Sequence, residues 1–280
     1  MAHASSQSPT GSPHEYVLGT NEAELQRLGF QHRVWAQEAS AIFERAGIGP
    51  GKTVLDVGCG PGFVTLDLAA LVGPGGRVIG VDESARFVEY LRLRAQSSGI
   101  SNVEVHVGDV QNLDLAPSTV DAAYCRWVLC FVPDPEAVVA RVASALKPGG
   151  VFAVQDYLFY KALRLSPDGR AMEKVIEAVE ASWRARAGDP EICRRLPTLM
   201  ARHGLELQDV RTIVRAARPG TALWDWPASF FRNYLPVLVS QGYLSANDRA
   251  AFETEWAEHS ANPVAIFSTP VLMDLIAVKN

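Results

Sequence analysis

An open, mostly parallel α/β sheet, doubly wound with helices on both faces, is the fold class this sequence predicts. Strand-like and helix-like stretches alternate between residues 50 and 157, the pattern of stacked strand–helix–strand units. An apolar strand, VLDV, runs straight into the glycine cluster GCGPG and then into a helical pattern, the opening of a nucleotide-binding sheet. With 280 residues, 48% of them hydrophobic, the chain is long enough to bury one large core.

Residues 1–13, MAHASSQSPTGSP, are small and polar and read as a disordered tail, lacking the basic start and apolar stretch of a signal peptide. Residues 14–49 read as a helical lid. Asn21, with Glu24 three residues on, has the spacing of a capping box ahead of a short first helix. A second helix follows through HRVWAQEASAIFERAG, where Val34/Trp35, Ala39, Ile42/Phe43 and Ala46 recur at three- and four-residue intervals until Gly47 stops them.

The sheet core is expected over residues 50–157, in the order TVLDVG, FVTLDLAALVG, RVIGVD, ARFVEYLRLRAQSSG, VEVHVGD, VDAAYCRW, PEAVVARVASALKPGG and VFAVQDY. Residues 158–190 are a helical insertion, with Met172, Val175, Ile176, Val179 and Trp183 on one face. The core resumes over residues 191–218 with a helix through EICRRLPTLMARHG and a strand, LELQDVRTIVRAA. Residues 219–270 are helical and aromatic-rich, too long and apolar for a turn, and are expected to cover something. The strand VLMDLIAVK, within residues 271–280, closes the chain, and no internal repeat is visible.

The net charge of −5 and pI of about 5.7 give no global positive field, which disfavours nucleic acid or an anionic membrane as partner. The clusters Arg92/Arg94, Arg194/Arg195 and Arg211/Arg215/Arg218 read as solvated faces. No segment has the length and apolarity of a membrane span, so a soluble cytoplasmic protein is expected. Cys59, Cys125, Cys130 and Cys193 form no CxxC pair and no zinc spacing; they read as reduced thiols, and no metal is expected.

The glycine turn carries the chemistry. Its glycines allow positive φ and close approach of a ligand, and the helix that follows presents free N–H groups. A dinucleotide fingerprint would read G-x-G-x-x-G; here Gly58, Gly60 and Gly62 run G-x-G-x-G, and Phe63 stands where the third glycine would be. Asp56, just before the turn, would repel a pyrophosphate and favour a cationic ligand. Asp82 closes the second strand about twenty residues on, where an acid accepts from both hydroxyls of a free ribose. Asp109 ends the third strand at the same edge.

Taken together, VLDVGCGPG, GVD, GD and VPDPEAVVARVASALKPGG resemble the class I S-adenosylmethionine-dependent methyltransferases, in the small-molecule group of quinone and sterol methylases. The resemblance covers residues 50–157. It implies a Rossmann-like seven-stranded sheet whose last strand runs antiparallel, S-adenosyl-L-methionine as cofactor and S-adenosyl-L-homocysteine as product. It implies that Gly58, Cys59, Gly60, Gly62 and Asp56 hold the methionine portion, Asp82 with Glu83 beside it the ribose, Asp109 the adenine amino group and the Val110 N–H the ring. Arg126, ending the fourth strand beside the methyl group, would contact cofactor or substrate, or have a surface or backbone role alone. Tyr16 and Arg33 in the lid would reach the methionine carboxylate or serve helix packing.

The expected reaction is in-line methyl transfer to an O, N or C atom of a small, apolar or aromatic, natural-product-like acceptor. The alternative is a protein of the same fold that binds the cofactor and binds or cyclises a small molecule without methyl transfer. A general base would be drawn from His14 and Tyr157, with His32, Asp156 and Tyr160 near the same edge. Trp183, Trp224, Trp226, Phe230, Phe231 and Tyr234 supply aromatic surface for the acceptor or a second small core. The cysteines lack the pattern for arsenic methylation, and nothing in the sequence sets the oligomeric state.

Overall fold

The computed structural model describes residues 19–280. The expected tail, His14 and Tyr16 lie outside the described residues.

The strands are β1 (Thr53–Val57), β2 (Arg77–Asp82), β3 (Val103–Val107), β4 (Val120–Arg126), β5 (Leu146–Phe159), β6 (Arg164–Ser166), β7 (Leu205–Ile213), β8 (Ala216–Ala217), β9 (Ile266–Ser268) and β10 (Val271–Lys279). Seven of them form one sheet in the order β3-β2-β1-β4-β5-β10-β7. β1 to β5 run parallel, and β10 lies antiparallel between β5 and β7. Strand order reverses between β1 and β4, which opens a crevice at their carboxyl ends, the usual ligand position of such a sheet.

The helices are α1 (Glu22–Val34), α2 (Ala36–Arg45), α3 (Phe63–Val72), α4 (Ala85–Ser97), α5 (Pro135–Ala145), α6 (Arg170–Arg184), α7 (Leu196–Arg202), α8 (Ala222–Ser240) and α9 (Ala246–Ala261). Alternation along the strands divides the core. Val54, Val78, Ala122 and Ala153 face α2 and α3 through Ile42, Phe43 and Leu68. Leu55, Ile79, Ala123 and Phe152 face the other way, toward Val138 and Val142 of α5 and Met200 of α7. Among the described residues no helix is long and apolar enough to cross a membrane.

The lid differs from the expected pair of helices. Asn21 caps α1 as its spacing predicts, its Oδ1 accepting from Glu24 N at 3.0 Å. But α1 continues through HRV, and the break falls at Trp35, whose backbone (φ −111°, ψ 12°) leaves the helix. The fully buried indole sets that break, packing edge-on against Trp127 and Trp226 at 5.1–5.6 Å between centroids. Periodicity carries no mark of it, because Val34/Trp35 fit either helix.

The two inserted segments are joined. α6 packs on α8 and α9, and α1 packs on α8. A second sheet, β6-β9-β8, ties the stretch after β5 to the stretch before β10. Strands of two and three residues are too short to show alternation, so this sheet left no signal in the sequence.

Candidate active site

β1 delivers the chain into a turn where Gly58, Gly60 and Gly62 all have positive φ, +68°, +52° and +80°. The three are not equivalent. A Cβ on Gly58 would run into Val128, and one on Gly62 into Leu91, so packing alone demands both glycines. A Cβ on Gly60 meets nothing within 4 Å, because Gly60 lines open cavity. Cys59 N donates to Val81 O at 3.0 Å, which fastens the turn to β2.

Asp82 organises the same turn: its Oδ2 accepts from Gly60 N at 2.8 Å and its Oδ1 from Ser84 N at 2.9 Å. Burial nonetheless raises its pKa, against the effect of those two amides. Asp56 is 3% exposed and accepts from Thr65 Oγ1 at 2.6 Å. Burial pushes its carboxyl up to about 6, opposed by the Thr65 hydroxyl and by the charge of Arg126. Asp109 caps the short 3-10 turn Val110–Asn112, accepting from Gln111 N at 2.9 Å and Asn112 Nδ2 at 3.0 Å. Asp56, Asp82, Asp109, Val110, the exposed Glu83 and, from the turn, Gly58, Cys59 and Gly60 all border one cavity, whereas Gly62 packs behind it against Leu91.

At the end of β4, Arg126 also lines the cavity; its guanidinium sits 5.0 Å from the Trp127 ring, and its Nη1 is buried without a partner. Trp127 itself has φ +52°, an unusual backbone for a bulky residue, of order 1 kcal/mol or more in cost. Its N–H donates to Gln155 O at 3.1 Å, and its indole stacks between Tyr157 and Trp226, 6.3 Å from each.

α1 forms the roof. Arg27 is held at 2.7 Å by both carboxylate oxygens of Glu24 and donates to Gln31 Oε1 at 2.9 Å. Gln31 Oε1 also accepts from Trp226 Nε1 at 3.0 Å, joining α1 to α8. His32 pairs with Asp67 at 3.2 Å and stacks on Phe63, while its Nδ1 is buried without a partner. Arg33 does not line the cavity. It is exposed, against the Phe30 ring. At 3.6 residues per turn Arg27, Leu28 and Gln31 share one face, and Arg33 falls on another.

The far end is aromatic: Tyr157, Tyr160, Trp183, Phe131, Trp226 and Phe230 line it. Tyr157 and Tyr160 meet edge to face at 5.1 Å, and burial raises the pKa of both phenols, so each stays a neutral hydrogen-bond donor rather than a base. Asp156 is not in the cavity wall. Its carboxylate is fully buried, accepts from Tyr157 N at 2.8 Å and Cys130 N at 3.3 Å, and is pushed up to about 6 by burial. Of the aromatic residues in the inserted helices, Trp183, Trp226, Phe230 and Phe231 border the cavity, whereas Trp224 and Tyr234 do not. All four thiols are free and buried, with raised pKa values, and among the described residues no group of three His, Cys, Asp or Glu side chains is placed to hold a metal.

Sequence reasoning missed Arg27, Gln31, Trp127 and Arg186, which also line the cavity. The i, i+4 pair Arg27 and Gln31 was open to it as a helix face. Nothing local marks Trp127 or Arg186.

A glycine turn at the switch point, acids at or just past the ends of three successive strands and an antiparallel final strand define the class I S-adenosylmethionine-dependent methyltransferase architecture. The residues fit that class's cofactor: Gly60 leaves room for close approach, Asp56 is a buried carboxyl suited to a cationic neighbour, and Arg126 Nη1 awaits an acceptor. A family model described as methyltransferase domain matches residues 48–213, more than half of the chain, and the chain belongs to that family.

An uncharacterized 37.1 kDa protein in transposon TN4556 of Streptomyces fradiae is 43% identical over 101 residues, 36% of this chain and 29% of that one. An arsenite methyltransferase of Halobacterium salinarum is 32% identical over 127 residues, 44% of this chain and 32% of that one. The chain thus spans about a third of the length of these curated relatives. Among solved structures, the YcgJ protein from Bacillus subtilis superposes with a TM-score of 0.61 at 18% identity, over 88% of this chain and 99% of that one, a likeness of fold.

Proposed function

We propose that this protein transfers the methyl group of S-adenosylmethionine to an O, N or C atom of a small, apolar or ring-bearing acceptor. The supporting observation is that one continuous cavity runs from the glycine turn and its acids to the aromatic wall built by β5, α6 and α8.

When bound, S-adenosylmethionine supplies an electrophilic methyl group on a sulfonium centre. The chain's own work is to bind, orient and exclude water. Gly58, Cys59 and Gly60 would hold the methionine portion, with Gly62 shaping the turn behind them, Asp56 facing positive charge and Arg126 offering its unpartnered Nη1. Asp82 would take the ribose hydroxyls through the lone pairs left free by Gly60 N and Ser84 N, with Glu83 at the rim. Asp109 and Val110 would flank the adenine. Tyr157 would position the acceptor as a donor. α1 and α8, joined through Gln31, would close over both ligands.

Incubation with methyl-labelled S-adenosylmethionine and a panel of hydroxylated and aminated aromatic acceptors tests the proposal. Label recovered in an acceptor, with S-adenosylhomocysteine formed in equal amount, is the expected result. Tight cofactor binding with no label transferred to any acceptor would favour a protein that binds without methylating.

A further inference from the structure

The carboxylates that line the cavity, Asp56, Asp82, Glu83 and Asp109, all lie near the carboxyl ends of β1, β2 and β3. None borders the far end. There Tyr157 and Tyr160 are 7% and 3% exposed, and their hydroxyls form no hydrogen bond among the described residues. The Trp127 Nε1, unlike those hydroxyls, is fully buried without a partner. Arg27 is committed to Glu24 and Gln31. Arg186, just beyond α6, lines the cavity with no carboxylate paired to its guanidinium among the described residues.

The two phenol hydroxyls stay accessible in the cavity wall without an acceptor, so a ligand that supplies acceptor oxygens is favoured there. A cationic group would meet an arginine and no carboxylate in the cavity wall, since Glu180 and Asp156 lie behind it. An apolar wall, several donors and one unpaired guanidinium together match a ring with an oxygen anion attached.

We infer that the acceptor is a ring-bearing molecule anchored by an oxygen anion, a carboxylate or an ionised ring hydroxyl, held by Arg186 together with the hydroxyls of Tyr157 and Tyr160. The inference rests on the methyltransferase reading of the same cavity and adds the acceptor's charge. The anion is an anchor: donors and a guanidinium gathered on one oxygen pair draw electron density from it, so the methylated atom lies elsewhere on the molecule. Arg186 is then a residue that selects substrate.

The test uses the full chain saturated with S-adenosylhomocysteine and titrated with matched probes. 1-Naphthoate and salicylate are compared with their amides, and 2,4-dinitrophenolate with its methyl ether, which separates carboxylate from phenolate. At least one anion should bind about tenfold more tightly than its neutral partner, as a charge-assisted pair implies. Arg186→Met should erase that preference and Arg186→Lys keep part of it, while Tyr157→Phe and Tyr160→Phe each weaken the anion a few-fold. S-adenosylhomocysteine titration of each variant confirms that the fold and the donor half are intact. No anion favoured over its neutral partner, or a preference that survives Arg186→Met, overturns the inference. Failure of the wild-type chain to bind S-adenosylhomocysteine would instead overturn the methyltransferase reading beneath it.

Discussion

Asp56 and the glycines beside it show how much one turn asks of single residues. Because burial holds the Asp56 carboxyl at about 6, a fraction of the free protein is protonated there near neutral pH. A cation placed beside it lowers that value, so cofactor affinity should climb as pH rises through about 6 and level off above, with proton release on binding. Calorimetry in two buffers of different ionisation enthalpy measures the release; Asp56→Asn should abolish it. Asp82→Ala should weaken S-adenosylhomocysteine binding about tenfold or more, two hydrogen bonds at about 1 kcal/mol each. Unchanged affinity would refute the ribose role. Both substitutions carry the strain of a positive φ, but Gly58→Ala adds a collision with Val128, so it should lose more stability than Gly60→Ala, whose Cβ would enter the cavity and weaken ligand binding, a contrast read by denaturation and calorimetry on the same pair. The G-x-G-x-G spacing was legible in the sequence; the division of labour among its glycines was not, because the residues that crowd two of them, Val128 and Leu91, are distant in the chain.

Elements here are fastened by a few buried polar contacts. Arg45 of α2 donates to Asp209 of β7 at 2.6 Å and to Asp274 of β10 at 2.7 Å, and Gln155 of β5 supports Asp274 at 2.8 Å. Asp274 is 1% exposed, so Arg45→Met leaves a buried carboxylate without its cation. A loss of about 3 kcal/mol in chemical denaturation is expected; a change near zero would show that the carboxylate is protonated or solvated instead. Asp156, within β5, acts on the same level, accepting from Cys130 N and so fixing the chain after β4. Its carboxyl is at about 6 folded against an ordinary value near 3.8, so the folded form holds the extra proton. Its contribution is present at low pH and is lost as pH rises from about 4 through about 6, and Asp156→Asn should flatten that decline in thermal midpoint. The succession of strands and helices in the sheet was readable from alternation and caps, but not every boundary: the helix read through PEAVVARVASALKPGG ends at Ala145, and LKPGG belongs to β5. The α1/α2 break was not readable either, since it is fixed by where the Trp35 ring packs.

At the scale of the whole molecule, two segments that the sequence separates by about thirty residues of core become one cover. The seven-stranded sheet and its antiparallel last strand were implied by the family resemblance; the order of the strands was not read from the sequence. Nor was the union of the insertions, because it depends on α6 meeting α9 and on strands too short to have a pattern. That cover meets α1 through Gln31 and Trp226, so ligand binding should tighten both at once. Hydrogen exchange with and without S-adenosylhomocysteine should show added protection in α1 and α8 and little in α5 or β10; protection confined to the glycine turn would argue against closure.

Trp35, Trp127 and Trp226 also form a chain of indoles with neighbouring centroids 5.1–6.3 Å apart. At that spacing the three rings are within range of excitation transfer to one another. Two of them face the cavity. An aromatic acceptor that stacks on either should darken the whole set, which makes the protein its own optical sensor for substrate.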